Sequence, residues 1–251
     1  MKKAQEPSKR LEENLRYLKL KYFADNYLPN AKEAAKKQIT HTDYLAELVD
    51  GETAARSERA VERRIRSARL PFQKSLDQFQ WSHPEKINRM QIENLMRLDF
   101  VDRHENIVFL GGCGVGKTHL LSALTVRACQ MGYNCLFASA IDIINNLTAA
   151  KAINSLDKAL KRYLSPDVLS IDEVGYLPID KLGCDLLFQV ISKRYECGSV
   201  IITCNRAFKQ WSNIFNNDSV VTSAILDRVL HHCEVVTIEG QSYRMKDKTA
   251  S

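Results

Sequence analysis

The chain has 251 residues, 45% hydrophobic and 26% charged, with 10 Gly and 6 Pro. That mixture excludes a disordered, collagenous or low-complexity polypeptide. The longest stretch without a charged side chain, residues 128–141, is 14 residues long, short of the roughly 20 apolar residues that cross a bilayer. The start is charged and no apolar run follows it, so neither a membrane span nor a secretory signal is expected. The formal charge of +6 is unevenly placed: residues 1–75 hold 17 Lys+Arg against 11 Asp+Glu, and residues 76–251 hold 19 of each. This asymmetry suggests a basic module joined to a neutral one; the basic part either meets nucleic acid or is simply a solvated surface.

The first third reads as helices. Leu11, Leu15, Leu18 and Tyr22 recur at helical spacing, which predicts an amphipathic helix over 11–28, ended by Pro29 and Asn30. Thr40 followed by Asp43 matches a capping box and starts a second helix, which runs past Gly51 and through Arg56–Arg69 until Leu70 and Pro71 stop it. There is no internal repeat. An aromatic and polar linker, from Phe72 to about Arg89, follows. The expected domains are a basic helical domain over 1–70, a linker over 71–90 and a larger domain over 91–251.

From about residue 106 short β-branched runs alternate with helical stretches. Strands are expected at 107–110, 135–138, 168–171, 200–203 and 235–238. Helices are expected at 117–131, 141–164, 182–195 and 222–231. Strands this continuously apolar belong to a parallel sheet covered on both faces, so the fold class is α/β. The seven cysteines, Cys113, Cys129, Cys135, Cys184, Cys197, Cys204 and Cys233, contain no C-x-x-C pair. They argue against a disulfide framework or a structural zinc site and suit a reducing cytoplasm.

Gly111, Gly112, Cys113, Gly114, Val115, Gly116, Lys117 and Thr118 fit G-x-x-x-x-G-K-[ST]. Glycines let the backbone amides converge on phosphate oxygens, and the following helix points the positive end of its dipole at them. Lys117 supplies a point charge for the β- and γ-phosphates, and Thr118 a ligand for Mg²⁺. Fifty-five residues beyond Lys117, Asp172 and Glu173 close a buried strand. Ligands bind at such carboxyl ends in parallel sheets. Asp172 is expected to hold Mg²⁺ through water, and Glu173 to orient and deprotonate the attacking water. Asn205, after the next run, can reach the γ-phosphate or that water, or else simply ends its strand. Asp227 and Arg228 are expected to be exposed beside inward-facing Ile225 and Val229. Arg228 then serves either as an arginine finger for a neighbouring copy or as a surface ion pair. His231 and His232 are expected to be splayed apart by a helix, as surface or hydrogen-bonded residues rather than metal ligands.

The order GGCGVGKT, SIDE, IITCN, ILDR resembles the AAA+ ATPases, in the branch of replication initiators and helicase loaders. The segments LGGCGVGKTHL, LSIDEVGYLP, VIITCNRAFKQW, AILDRVLHHCEVV and EGQSYRMKDK resemble the IstB family, helper ATPases of bacterial insertion sequences, over nearly the whole chain. The resemblance implies a P-loop AAA+ fold: a five-stranded parallel sheet flanked by helices and preceded by a small all-α domain. It implies ATP at Gly111 to Thr118, a Walker B pair in Asp172 and Glu173, sensor 1 in Asn205 and the finger in Arg228. It also implies an ATPase stimulated by double-stranded DNA, which assembles on the duplex as an oligomer, remodels it and activates a cognate transposase. The alternative is a DnaC-like loader of a replicative helicase that uses ATP as a switch; a small-molecule kinase fits less well, given Glu173 and the finger helix.

Thirteen residues follow position 238, too few for a full helical lid; Arg244 is the one arginine there. The lid is expected to be truncated or absent, and the adenine to be held by the linker around residues 90–95. On the DNA side, residues 56–69 carry six Arg and two Glu. Arg59, Arg63 and Arg66 share one helical face, with Arg64 and Arg69 nearby. The expectation is binding to duplex phosphates with little base preference, the alternative being a merely solvated basic helix.

Overall fold

The structure, a computed structural model, describes residues 7–243 and 245. The chain divides into two compact units between Arg63 and Arg64.

Three helices open the chain: α1 (Pro7–Tyr17), α2 (Lys21–Lys37) and α3 (His41–Ala68). Leu15, Tyr27 and Leu48 form the core of the first unit, with Tyr22, Phe23 and Tyr44 packed against it. Two helices replace the single one expected over 11–28. Lys19 adopts the left-handed conformation, φ 56°, and the Leu20 N–H turns back to Leu15 O at 2.9 Å, a Schellman-type stop. Pro29 then lies inside α2 instead of ending it. Pro29 and Asp25, whose carbonyl loses its amide partner, are both exposed, so water can satisfy that carbonyl. The Tyr44 hydroxyl braces the same stretch by donating to Tyr27 O at 2.9 Å. The start of α3 is as expected: Thr40 Oγ1 accepts from the Asp43 N–H at 3.1 Å.

Glu52 of α3 is buried. It accepts from the Tyr22 N–H at 2.8 Å, Arg56 Nε at 2.9 Å and Arg59 Nη2 at 3.1 Å. Burial raises its pKa, but the donors from Arg56 and the amides of Tyr22 and Phe23 outweigh this and hold the carboxyl below its ordinary value.

The second unit is built on a sheet whose five strands all run parallel. They are β1 (Asn106–Gly111), β2 (Cys135–Ser139), β3 (Val168–Val174), β4 (Ser199–Cys204) and β5 (Cys233–Ile238), in spatial order β2-β3-β4-β1-β5. Alternate residues of β1 serve opposite cores. Ile107 and Phe109 pack with Leu120 and Leu124 of α6 (Lys117–Gln130), and with Ile92 and Leu95 of α4 (Arg89–Leu95). Val108 packs on the other face with helices α7 (Ala140–Ala152), α8 (Leu156–Leu164), α9 (Lys181–Arg194) and α10 (Ser219–Leu230). A short helix, α5 (Asp99–Asp102), precedes β1. Burial on both faces explains why these strands read as unbroken apolar runs.

The helix expected over 141–164 is split. Asn154, a residue that tolerates the left-handed region, sits there at φ 53°, and the Ser155 N–H closes onto Ala150 O at 2.8 Å. Arg194, at the end of α9, is 2% exposed. Its guanidinium donates to the carbonyls of Tyr163, Leu164, Pro166, Asp167 and Ser199. Five acceptors gather the α8–β3 turn and the start of β4 around one cation, and desolvation pushes its pKa down to about 10. Among the described residues β5 is the last element; Arg244 lies outside the described residues.

Candidate functional site

The strand order decides where the motifs meet. β4 lies between β3 and β1, so the residues following the carboxyl ends of these three parallel strands come together. These are the glycine turn after β1, Asp172 and Glu173 of β3, and Asn205 after β4.

Gly114 and Gly116 need to be glycine. Their φ values are 76° and 101°, and a Cβ on Gly116 would lie 2.6 Å from the Phe79 ring. Gly116 caps α6, so the amides of the turn and of the first helical turn face one place. Lys117 donates to Gly111 O at 2.9 Å and Gly112 O at 2.6 Å, which draws its ammonium across the turn.

The Thr118 hydroxyl donates to Asp172 Oδ1 at 3.1 Å. The Thr203 hydroxyl of β4 donates to the same oxygen and accepts from the Glu173 N–H at 2.9 Å. The β3–β4 register slips between Ile171 and Val174, and Glu173 takes φ 60°. Such a bulge re-aims side chains at a strand end. Asp172 is buried, and Glu173 is exposed.

Lys117, Thr118, Glu173, Thr203 and Asn205 all line one small pocket. Asn205 Nδ2 lies 3.8 Å from Cys113 Sγ, near enough for a weak hydrogen bond from the amide to the sulfur. The hydroxyl of Thr118 and the carboxylate of Asp172 are hard oxygen donors side by side. They fit Mg²⁺, which takes one or two protein oxygens and completes its shell with water and phosphate.

A cavity of about 400 Å³ adjoins the glycine turn, walled by Phe79, His83, Pro84, Gly116 and Tyr243. The volume suits a small-molecule site. The carboxyl tail forms part of it: the Tyr243 N–H donates to Gly114 O at 3.0 Å, and the Tyr243 and His83 rings meet edge to face. The linker residues 90–95, where the adenine was expected, lie elsewhere. Ile92 and Leu95 are core residues, and Gln91 Nε2 binds Val235 O at 3.1 Å; none of them lines the cavity. No sequence signal marked Thr203, Phe79, His83 or Tyr243.

Arg228 is half-buried rather than exposed. Its guanidinium stacks on Phe188 at 4.9 Å and donates to Ala224 O at 3.1 Å. Asn106, the first residue of β1, donates to the neighbouring Val229 O at 3.1 Å. Arg228 therefore sits at the amino end of the sheet, away from the glycine turn at its carboxyl end. Arg206 turns back instead, with Nε on Gly175 O at 3.1 Å. His231 and His232 follow the end of α10, so their rings are not splayed but 4.1 Å apart. His231 Nδ1 pairs with the Tyr195 hydroxyl at 2.8 Å.

Of the basic run, Arg59 is tied to Glu52 and to Ala55 O, whereas Arg63 is exposed. In the second unit Arg64 is half-buried and Arg66 exposed. Arg69, at φ 58°, lines a cleft with Arg162, Asp142 and Glu173. All seven cysteines are free thiols. No helix of the described residues is long and apolar enough to cross a membrane.

Sheet order, glycine turn and acidic strand end define a P-loop domain of the AAA+ type. The family model "IstB-like ATP binding protein" matches residues 13–251, and the chain belongs to that family. It is 36% identical to the protein named as ATP-binding in insertion sequence IS5376 of Geobacillus stearothermophilus, over 95% of both chains. It is 39% identical to the counterpart in IS21 of Pseudomonas aeruginosa, over 95% of this chain and 89% of that one. Among solved structures, DnaI superposes with a TM-score of 0.57 at 18% identity, covering 66% of this chain and 90% of that one. The DnaC helicase loader gives 0.53 at 24%, over 66% and 96%. At such identities these two likenesses speak for the fold alone.

Proposed function

We propose that this protein is a DNA-stimulated ATPase that serves the transposase of its insertion sequence. One observation carries the reading: Lys117, Thr118, Asp172, Glu173 and Asn205 gather at the carboxyl ends of three adjacent strands. The amides of Gly111, Gly112, Cys113, Gly114, Val115 and Gly116 cradle the phosphates of ATP, and Lys117 moves from its carbonyl partners to the β- and γ-oxygens. Thr118 and Asp172 hold Mg²⁺, whose charge offsets that of the phosphates. Glu173 takes the proton of the attacking water while Asn205 orients it. Phe79, His83 and Tyr243 enclose the adenine.

Arg228 lies too far from its own glycine turn to act there, so a finger role requires a second copy. That agrees with self-association on duplex DNA. Arg63 and Arg66, with Arg59, Arg64 and Arg69 on or beside the same run, contact phosphates of double-stranded DNA. The helical domain of residues 1–70 serves DNA binding and assembly, residues 71–90 link it to the rest, and residues 91–251 hydrolyse ATP. Free cysteines suit the cytoplasm.

The test is ATP hydrolysis by purified protein with Mg²⁺, with and without long duplex DNA, alongside sedimentation. Duplex should stimulate hydrolysis, and ATP with duplex should give oligomers. Lys117→Ala should bind no ATP, and Phe79→Ala should raise KM with kcat unchanged. Folded protein without affinity for Mg·ATP overturns the reading. A pull-down that returns a replicative helicase and no transposase favours the loader alternative.

A further inference from the structure

The geometry points to Thr203 as a positioning residue that sets both halves of the acidic pair through one hydroxyl. This rests on the ATPase reading above and deepens it.

Thr203 is 1% exposed and lies on β4, a different strand from the acids. Its Oγ1 has one proton to give and lone pairs to accept with. The Glu173 N–H donates to that oxygen at 2.9 Å, which leaves the hydroxyl proton for Asp172 Oδ1. Thr118 Oγ1, on α6, donates to the same carboxylate oxygen. Asp172 is thus held by a hydroxyl of α6 and a hydroxyl of β4, both on its Oδ1.

The second half concerns Glu173. A non-glycine residue at φ 60° is in a conformation that L-residues avoid, and it persists only where neighbours impose it. The ladder cannot impose it, because the β3–β4 register is broken between Ile171 and Val174. The Glu173 amide finds its partner in the Thr203 side chain instead. That bond fixes the backbone from which the Glu173 carboxylate reaches the pocket shared with Lys117 and Asn205. Thr203 touches neither phosphate nor water in this account; it acts through the two acids.

Thr203→Val keeps the shape and removes both bonds, Thr203→Ala removes them with less bulk, and Thr203→Ser keeps the hydroxyl. All are read against wild type by thermal melting, ATP binding, steady-state hydrolysis and Mg²⁺ titration. For Val or Ala, whichever stays folded, kcat should fall at least about tenfold with KM for ATP little changed. Half-maximal activity should need about tenfold more Mg²⁺. Ser should restore both. A purely structural Thr203 would lower the melting temperature and leave the KM-against-kcat split and the Mg²⁺ midpoint where they are. Wild-type kinetics in folded Val and Ala variants overturn the inference, as does Ser failing alongside Val. A wild-type protein that binds no Mg·ATP overturns the ATPase reading itself, a result distinguishable from either.

Discussion

The Thr118 hydroxyl donates to Asp172 Oδ1 at 3.1 Å, joining the first turn of α6 to the end of β3. The pair offers two adjacent hard oxygens, so its loss should be felt through the cation before the nucleotide. Asp172→Asn should leave metal-free ATP binding near wild type and raise the Mg²⁺ requirement for hydrolysis about tenfold or more. A magnesium titration at saturating ATP measures this.

Glu173 is exposed, borders the pocket shared by Lys117 and Asn205, and has no ion-pair partner among the described residues. Glu173→Gln keeps its shape and removes its basicity. Hydrolysis should fall by about 10²–10⁴ while ATP still binds, so that assemblies on duplex persist. Single-turnover hydrolysis beside nucleotide binding separates the two effects.

The exposed guanidiniums of Arg63 and Arg66 are read through salt. If both meet phosphates, the double change to Ala should weaken duplex binding alike for unrelated sequences. It should also lower the slope of log K against log salt by about 1 per arginine. Arg59, already on Glu52, should change the slope less.

Glu52 gives a pH signature in the first unit. Its folded pKa is held below the ordinary value of 4.5, so its contribution is fully present above that value. It is lost as pH falls through the depressed folded value. Glu52→Gln leaves the Tyr22 amide and two arginines with a weaker acceptor and should cost about 1–3 kcal/mol at pH 7. Melting curves of both proteins should differ at pH 7 and converge as the pH drops below 4.5.

Arg194→Met replaces the cation by an apolar chain of similar length and strands the five carbonyls it serves. We expect a loss of about 3 kcal/mol or more, in the tail reserved for broken buried networks. Urea unfolding monitored in the second unit is the measurement.

Much of the fold was legible because its signals are local. Strands β1 to β5 declared themselves as apolar runs, and the glycine turn as eight consecutive residues. Where local rules competed, they misled. Pro29 predicts a helix end, but its exposed position lets α2 continue; Asn154 splits a helix that periodicity alone would join.

The phosphate turn, the acidic strand end and the class of fold could be read from the chain because each depends on neighbours in sequence. Thr203, Phe79, His83 and Tyr243 could not, since an ordinary strand threonine or linker aromatic acquires a role from what is folded against it. The same holds for the place of Arg228: its motif suggested a finger for a neighbouring copy, and only the sheet shows that it lies at the far end from its own P-loop. Contacts between strands 30 residues apart depend on sheet order, and sheet order is a property of the whole core.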